Sequence, residues 1–445
     1  MLFAAFLLYF SQHSYYTFCY ISVILFAEGG KYNIMENEYK RWQTENVKEA
    51  LKTRRVIVIS GARQTGKTTL SRQVITKDED YRSLDDSFML DYALSDPKGF
   101  LHNNPSTMVI DEIQKIPKLI PEIKLIVDKN NRPGQFLLTG SANILTLPII
   151  GDSLAGRVKH IRLRPLTIGE MLKKKPAFLE KAFSKDFPGK ITGYNKEQIL
   201  DYAFRGGYPE AAAIENPKHR KDWHKDYINT LLMRDLKDIA NIRRRDDLQS
   251  LVGILASWSA KFMELTQITS ALSINKITLN SYINTLISMY IFEKVPPWLK
   301  TDYERIGKRP KFYAADSGIM TSILGWEPKE VIMNNDRSGK LIETFIFQEL
   351  AAQIDIDNKY NLYQYRDRQD REIDFLVERE DGAILGIEVK AGHSVSIDDF
   401  KAQFWFEENI LKNKKSYIGI VLYSGDRTVP FKENMLAVPT AALWS

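Results

Sequence analysis

A short loop in the amino-terminal part of the chain carries its clearest chemical signature. The pattern G-x-x-x-x-G-K-[ST] directly follows the apolar run Val56–Ser60. Its glycines let the backbone curl so that N–H groups point at phosphate oxygens, the lysine reaches the outer phosphates, and the next hydroxyl can hold Mg²⁺. The pattern therefore predicts nucleoside triphosphate binding at Gly61, Ala62, Arg63, Gln64, Thr65, Gly66, Lys67, Thr68 and Thr69.

Two acidic residues are the next candidates for chemistry, because they follow a second buried-strand pattern. Residues 108–110 are apolar, and Asp111 and Glu112 come directly after them. Ligands of open α/β sheets bind at the carboxyl ends of strands, so we expect Asp111 to hold Mg²⁺ through water and Glu112 to activate the attacking water. A third run ends at Thr139, whose hydroxyl is placed to sense the terminal phosphate. Solvated strand ends are the alternative explanation.

A second set of charged residues lies near the carboxyl terminus, on two runs with the alternating pattern of β-strands. A three-residue loop, with Gly382 in the left-handed position, sets Asp374 opposite Glu388. The same register sets Glu372 opposite Lys390, so that all four charged side chains share one face. A two-residue loop would shift the register by one residue and separate Asp374 from Glu388.

The chemistry of this hairpin depends on its register. In the first register, Asp374 and Glu388 can bind a divalent cation, and Lys390 can orient an attacking water or offset charge on a phosphodiester. The alternative is a ladder of ion pairs across the hairpin, which has no catalytic role.

The elements that must position these residues fall into successive segments. Strand and helix patterns alternate around the loop and the Asp-Glu pair, which indicates an α/β fold with a parallel sheet. Apolar spacing around a turn at residues 273–275 fits two short helices, and two later strands fit a wing beside them. The predicted division is 35–175 for a nucleotide-binding domain, 176–245 for a helical connector, 246–325 for a winged helix and 326–445 for a carboxyl-terminal domain.

The winged-helix segment offers polar and basic groups for a polyanion. Lys276 begins the second helix, and Lys308 and Arg309 lie in the loop between the wing strands. Such groups can approach DNA phosphates and base edges, so DNA is one predicted partner. The alternative is a winged helix that spaces domains or subunits, which predicts a homo-oligomer or a protein partner.

The motifs around the loop resemble, in order, those of the AAA-type ATPases of the bacterial and archaeal group that carry a carboxyl-terminal domain of unknown function. The similar stretches are GARQTGKTT (61–69), VIDEIQ (109–114), LLTGSA (137–142), SLAGR (153–157) and LRPLTIGE (163–170). The resemblance implies ATP hydrolysis, and a strand ending at Thr139 that lies between the loop strand and the Asp111 strand. It also implies that Arg157 contacts the γ-phosphate, within the chain or across a subunit interface.

The carboxyl-terminal acids resemble the PD-(D/E)xK nuclease core, with Asp374 at the Asp position and residues 388–390 as the E-x-K. That family places an acid on the preceding helix, and Glu343 matches this position. The resemblance implies an α/β nuclease-like fold whose metal is held by Glu343, Asp374 and Glu388, with Lys390 as a catalytic residue. A core that only binds is the alternative, and the protein would then be a nucleotide-dependent switch that assembles a complex.

Composition limits the setting in which the chain works. The 445 residues carry a net charge of +6 and one cysteine, Cys19, which excludes an internal disulfide framework and fits a cytoplasmic location. Residues 15–27 are apolar, but a signal peptide needs a basic start, and the first lysine is Lys31. We therefore predict that translation begins at Met35, that residues 1–34 are an artefactual leader and that no stable membrane insertion occurs. An inserted anchor is the alternative.

Overall fold

A computed structural model describes most of the chain, namely residues 39–75, 81–102, 106–141, 154–239, 245–299, 309–412 and 416–445. Arg41–Ser445 cluster into one compact unit. The predicted leader 1–34 and the predicted DNA contact Lys308 lie outside the described residues. No helix within the described ranges has both the length and the apolar character that a bilayer span requires.

The amino-terminal part of the unit is a sheet covered by helices. Its strands are β1 (Val56–Ser60), β2 (Tyr81–Ser83), β3 (Met108–Asp111), β4 (Phe136–Gly140) and β5 (Val158–Arg162). Its helices are α1 (Gln43–Thr53), α2 (Lys67–Val74), α3 (Ser87–Ser95), α4 (Pro97–Phe100), α5 (Leu119–Lys129) and α6 (Ile168–Met171). The predicted α/β fold with a parallel sheet is therefore confirmed.

The order of the strands is β2-β3-β4-β1-β5, and each neighbouring pair is parallel. The strand that carries Thr139 thus lies between the loop strand and the Asp111 strand, as the resemblance implied. Every residue of β1 and β4 is buried, because helices cover both faces of the sheet. The carboxyl ends of β1, β3 and β4 meet at one edge, where the loop leads from β1 into α2.

The middle of the unit is mostly helical. Its helices are α7 (Phe178–Ser184), α8 (Lys196–Arg205), α9 (Pro209–Ala213), α10 (Pro217–Ile239), α11 (Arg245–Ser257), α12 (Leu265–Leu272), α13 (Lys276–Ser288) and α14 (Ser317–Ile323). The strands β6 (Lys261–Phe262), β7 (Phe292–Val295) and β8 (Lys311–Ala314) form a small antiparallel sheet of order β6-β8-β7. The two short helices and the pairing of β7 with β8 lie where the sequence predicted them.

The carboxyl-terminal part packs a long helix against a mixed sheet. Its helices are α15 (Pro328–Met333), α16 (Asn335–Ile354) and α17 (Lys401–Trp405), and a π-helix follows at Phe406–Leu411. Its strands are β9 (Tyr360–Arg366), β10 (Glu372–Arg379), β11 (Ile384–Lys390), β12 (Tyr417–Tyr423), β13 (Val429–Lys432) and β14 (Met435–Pro439), in the order β13-β14-β12-β11-β10-β9.

The β10–β11 hairpin adopts the first of the two predicted registers. Phe375 pairs with Ile387, and Leu376 pairs with Gly386. Gly382 has a φ of +83°, the left-handed conformation that a three-residue loop needs and that glycine adopts without strain. The register therefore directs the charged residues before Phe375 and after Ile387 towards one end of the hairpin.

The Gly206-Gly207 pair lies at a close junction, where Gly207 contacts Leu166 of the amino-terminal part and Gln348 of the carboxyl-terminal part. The Asp316 carboxylate accepts hydrogen bonds from the Gly207 amide at 2.7 Å and from the Ile319 amide at 2.8 Å. A Cβ atom on Gly207 would lie 2.2 Å from the Leu166 carbonyl oxygen, so a larger residue would separate the parts. Burial raises the pKa of Asp316 to about 6, although the amide donors partly oppose this. The motif therefore packs tightly where these elements meet.

Candidate nucleotide-binding site and a carboxyl-terminal acidic cluster

The phosphate loop, residues 61–69, takes its shape from glycines at two positions. A Cβ atom on Gly61 would lie 2.1 Å from the Leu163 carbonyl oxygen, so a side chain is excluded there. Gly66 has a φ of +92° directly before α2, which begins at Lys67. The loop therefore ends at the amino terminus of a helix, where N–H groups and the helix dipole favour a phosphate.

Lys67 lies folded back onto the phosphate loop. Its Nζ atom donates to the carbonyl oxygens of Gly61 at 3.0 Å and Ala62 at 2.7 Å. Burial lowers the pKa of Lys67 to about 8, and the nearby charges of Glu112 and Asp111 offset this only in part. An anion beside the ammonium would raise this pKa again and stabilise the charged form, so the side chain is suited to meet a phosphate.

The Asp111 carboxylate accepts hydrogen bonds from three hydroxyl groups at the edge of the sheet. Its Oδ2 atom accepts from Thr68 Oγ1 at 3.0 Å and from the Tyr81 hydroxyl at 2.5 Å. Thr139 Oγ1 donates to the other carboxylate oxygen. Burial and the hydrogen bond to Asp111 raise the pKa of the Tyr81 hydroxyl, which therefore stays a donor. The predicted residues Thr68, Asp111 and Thr139 are thus brought together, and Tyr81 is an addition that the sequence did not reveal.

Glu112 stands beside this group in a left-handed backbone conformation, with a φ of +59°. Its amide donates to Thr139 Oγ1 at 3.2 Å, and its carboxylate accepts from Ser141 Oγ at 3.2 Å. Gln114 Nε2 donates to the same carboxylate and lies 3.1 Å from Ser141 Oγ. These two partners orient the side chain that was predicted to activate water.

Arg41 holds the phosphate loop in place through a carbonyl oxygen of the loop. The sequence did not indicate this role. The Arg41 guanidinium donates to the Thr65 carbonyl oxygen at 2.6 Å and to the Arg164 carbonyl oxygen at 2.7 Å. It also forms an ion pair with Glu170 at 3.0 Å, in which both side chains are buried. The only sequence signal was indirect, because Glu170 belongs to the similar stretch at residues 163–170.

Arg157 is not brought to the phosphate loop. It directly precedes β5, whose first residue, Val158, pairs with Val56 at the start of β1. The loop leaves β1 at its other end, after Ser60. The Arg157 guanidinium instead pairs with Asp128 at the end of α5, with 3.1 Å from Nη2 to Oδ2. The γ-phosphate contact within the chain therefore does not fit this geometry, and a contact from a second subunit stays a prediction.

Glu343 and Asp374, two of the three acids that were predicted to bind a metal, lie with Glu372 around a lysine from another segment. The Nζ atom of Lys311, on β8, lies 2.6 Å from Glu343 Oε1 on α16. It also lies 2.5 Å from Glu372 Oε1 and 2.9 Å from Asp374 Oδ1 on β10. These three carboxylates are named the acidic cluster below. The Lys311 side chain is only 2% exposed, and although burial lowers its pKa, the carboxylates raise that pKa well above the usual value.

Glu388 and Lys390 pair beside the acidic cluster. The Lys390 Nζ atom lies 3.2 Å from Glu388 Oε1 and 3.7 Å from Asp399 Oδ1. Within the described residues, no group of three or more His, Cys, Asp or Glu side chains is arranged to hold a metal ion. The predicted metal centre at Glu343, Asp374 and Glu388 therefore does not fit, because an ammonium lies among the carboxylates.

Three stretches of the chain match models of known protein families. Residues 53–172, which contain the parallel sheet and the phosphate loop, match the model described as an AAA domain. Residues 196–330 and 338–443 match two models described as domains of unknown function, DUF8612 and DUF4143. The amino-terminal part of the chain is therefore an AAA domain of the P-loop ATPase class.

Similar proteins cover most of the chain. The uncharacterized protein Rv2008c of Mycobacterium tuberculosis is 26% identical over 401 residues, which cover 90% of this chain and 83% of the relative. The uncharacterized protein MJ1544 of Methanocaldococcus jannaschii is 24% identical over 414 residues, 88% of each chain. The solved Walker-type ATPase PABY2304 of Pyrococcus abyssi is similar with a TM-score of 0.39 and 14% identity, over 65% of this chain and 97% of that one. Neither sequence relative has a described function.

Proposed function

We propose that the chain binds ATP with Mg²⁺ on the phosphate loop and hydrolyses it. The observation that carries this proposal is the convergence of Thr68, Thr139 and Asp111 at the sheet edge. Thr68 Oγ1 and Asp111 Oδ2 lie 3.0 Å apart, and both are hard oxygen donors of the kind that Mg²⁺ prefers. Mg²⁺ held there would offset negative charge on the outer phosphates.

The surrounding side chains have separate tasks in this proposal. The Lys67 ammonium exchanges the loop carbonyl oxygens for phosphate oxygens. The Glu112 carboxylate accepts a proton from the attacking water, and Gln114 and Ser141 hold that carboxylate in position. Thr139, which now donates to Asp111, would contact the terminal phosphate. Arg157 reaches the γ-phosphate of a neighbouring subunit, which makes a homo-oligomer the active form.

We propose that ATP hydrolysis is coupled to the binding or processing of nucleic acid. Residues 246–325 would form a winged helix, and residues 326–445 a nuclease-like fold. Lys276 is exposed at the start of α13. The Arg309 side chain is 65% exposed and forms an ion pair with Glu264. Cations in these positions suit DNA phosphates, which would fix orientation without reading sequence.

The alternative proposal is a nucleotide-dependent switch that assembles a protein complex. One observation favours it: the Lys311 ammonium fills the acidic cluster where a nuclease would need its metal. In this alternative, the carboxyl-terminal fold is an inert docking module, and ATP hydrolysis resets the assembly.

Steady-state ATP hydrolysis, measured with and without duplex DNA, tests the proposal and separates the two versions. We expect Mg²⁺-dependent hydrolysis in the wild type, loss of it in Lys67→Ala, and no change in the exposed control Lys98→Ala. Stimulation by DNA supports coupling to nucleic acid. Unchanged rates together with nucleotide-dependent oligomerisation support the switch. A wild type that binds ATP but never hydrolyses it contradicts both versions.

A further inference from the structure

The cation inside the acidic cluster belongs to the protein itself. We propose that the Lys311 ammonium is a built-in substitute for a divalent cation, which closes the acidic cluster to metal ions and leaves the carboxyl-terminal fold as a binding module. This inference deepens the proposed alternative function, but it concerns the cluster alone and does not depend on ATP hydrolysis.

The distances suit an ammonium. The Nζ atom lies 2.5 to 2.9 Å from the three carboxylate oxygens, and such short contacts are typical of charge-assisted interactions between an ammonium and carboxylates. An ammonium has three N–H donors, and here it donates to Glu372 and Asp374 and forms an ion pair with Glu343. Mg²⁺ instead holds its oxygen ligands at about 2.0–2.1 Å in a nearly octahedral shell. A divalent cation on the same oxygens would lie close to Nζ, where like charges repel strongly because water is excluded.

The carboxylates also have partners without a metal. The Tyr313 hydroxyl donates to Glu343 Oε1 at 2.7 Å, and the Val389 amide donates to Asp374 Oδ2 at 2.9 Å. The Lys311 ammonium and these donors therefore already occupy carboxylate oxygens that a metal ion would need as ligands.

The lysine and the acids come from different parts of the chain. Lys311 lies on β8 within the residues that match DUF8612, whereas Glu343 and Asp374 lie within those that match DUF4143. Because β8 is the central strand of its small sheet, pairing with both β6 and β7 holds the backbone of Lys311 in place. The same ammonium therefore closes the cluster and fastens the middle segment to the carboxyl-terminal sheet.

Binding of Mn²⁺ to the nucleotide-free full chain, followed by electron paramagnetic resonance, tests this inference. We expect wild type and Asp374→Asn to bind Mn²⁺ equally, because the cluster holds none. Lys311→Met should bind at least tenfold more tightly through one new site, and Lys311→Met with Asp374→Asn should lose that site. Lys340→Met, which removes a half-buried lysine bonded to the Ser257 carbonyl oxygen at 2.7 Å, is the matched control and should gain nothing.

Two results would overturn the inference. One is Mn²⁺ binding by the wild type that Asp374→Asn abolishes, and the other is a folded Lys311→Met variant that gains no site. If Lys311→Met does not fold, the comparison of wild type with Asp374→Asn still decides the question. ATP hydrolysis by the same samples reports on the phosphate loop alone, so failure of the proposed ATPase is distinguishable from failure of this inference.

Discussion

The Tyr227 hydroxyl donates a hydrogen bond to the carbonyl oxygen of Arg63, 3.1 Å away. Tyr227 lies on α10 in the middle of the chain, whereas Arg63 is part of the phosphate loop. The Tyr227 ring also stacks on Trp223, with 5.2 Å between centroids and 7° between planes. Packing therefore fixes the donor, and this hydrogen bond links the phosphate loop to α10.

Replacing Tyr227 by Phe should weaken ATP binding about two- to tenfold. The ring stack survives, but the loop loses one of its fixed partners, and a hydrogen bond contributes about 0.5–1.5 kcal/mol net. Titration with a fluorescent ATP analogue measures the change. Tyr202→Phe, whose ring packs edge-on against Trp444, is the matched control. Equal affinities for Tyr227→Phe and wild type would argue against this contact as a link between the two parts.

Arg41→Met should lower both stability and ATP affinity. Removal of one partner from a buried ion pair costs about 3–5 kcal/mol, because Glu170 would keep an uncompensated charge. Adding Glu170→Gln should restore most of the thermal stability while ATP still binds weakly, since the Thr65 carbonyl oxygen still lacks its guanidinium. Thermal unfolding and nucleotide titration of the single and double variants measure the two effects. Recovery of affinity in the double variant would disprove the supporting role.

The raised pKa of the buried Glu349 carboxyl group predicts that stability depends on pH. Burial raises the pKa of Glu349 to about 8, and the Ile168 amide that it accepts from, at 3.0 Å, opposes this only in part. Because the folded state holds this proton more tightly, its stabilising effect is full below the unfolded pKa and is lost as pH rises from about 4.5 to about 8. The expected loss is at most about 1.4 kcal/mol per pH unit.

Glu349→Gln should remove this part of the pH dependence, because the glutamine carbonyl oxygen can still accept from the Ile168 amide and the side-chain amide does not titrate in this pH range. Chemical denaturation at several pH values between 5 and 8 compares the variant with wild type. The two stability curves should diverge as pH rises, with the variant the more stable at pH 8. Parallel curves would show that Glu349 does not titrate in this range.

A mixing experiment tests Arg157 across a subunit interface. Arg157→Ala keeps an intact phosphate loop, and Lys67→Ala keeps the arginine, so neither should hydrolyse ATP alone. A mixture should regain activity, since one subunit of a mixed assembly then has both parts. Asp128→Ala removes the present partner of Arg157 and should stay active. Full activity of Arg157→Ala by itself would exclude the role.

Features set by neighbouring residues were predictable from the sequence. The phosphate loop and Asp111 after its apolar run each depend on short-range geometry, whereas the hairpin register stayed open between two alternatives until the left-handed Gly382 and the strand pairing identified the first. Burial patterns of single strands and the φ preference of glycine are properties that local sequence encodes. The corresponding parts of the fold agree with the predictions for this reason.

Contacts between distant elements were not predictable in the same way. Lys311 stands 63 positions before Asp374. The pattern of its strand predicts a wing but carries no information about which side chains its ammonium contacts. Arg41 lies 129 positions from Glu170, and no local pattern joins them. The acids were recognised as a set, but the charge that compensates them comes from another segment. This is why the metal centre was predicted and an ammonium was found.

The most direct test of the central claim is the single-turnover rate of Mg²⁺-dependent ATP hydrolysis in Glu112→Gln. The variant keeps the shape of the side chain and its contacts with Gln114 and Ser141 but cannot accept a proton. We predict ATP binding within about twofold of wild type and hydrolysis slower by about 10²–10⁴, the usual contribution of a general base. Hydrolysis at the wild-type rate, with ATP bound normally, would contradict the assignment of this edge of the sheet as the catalytic site.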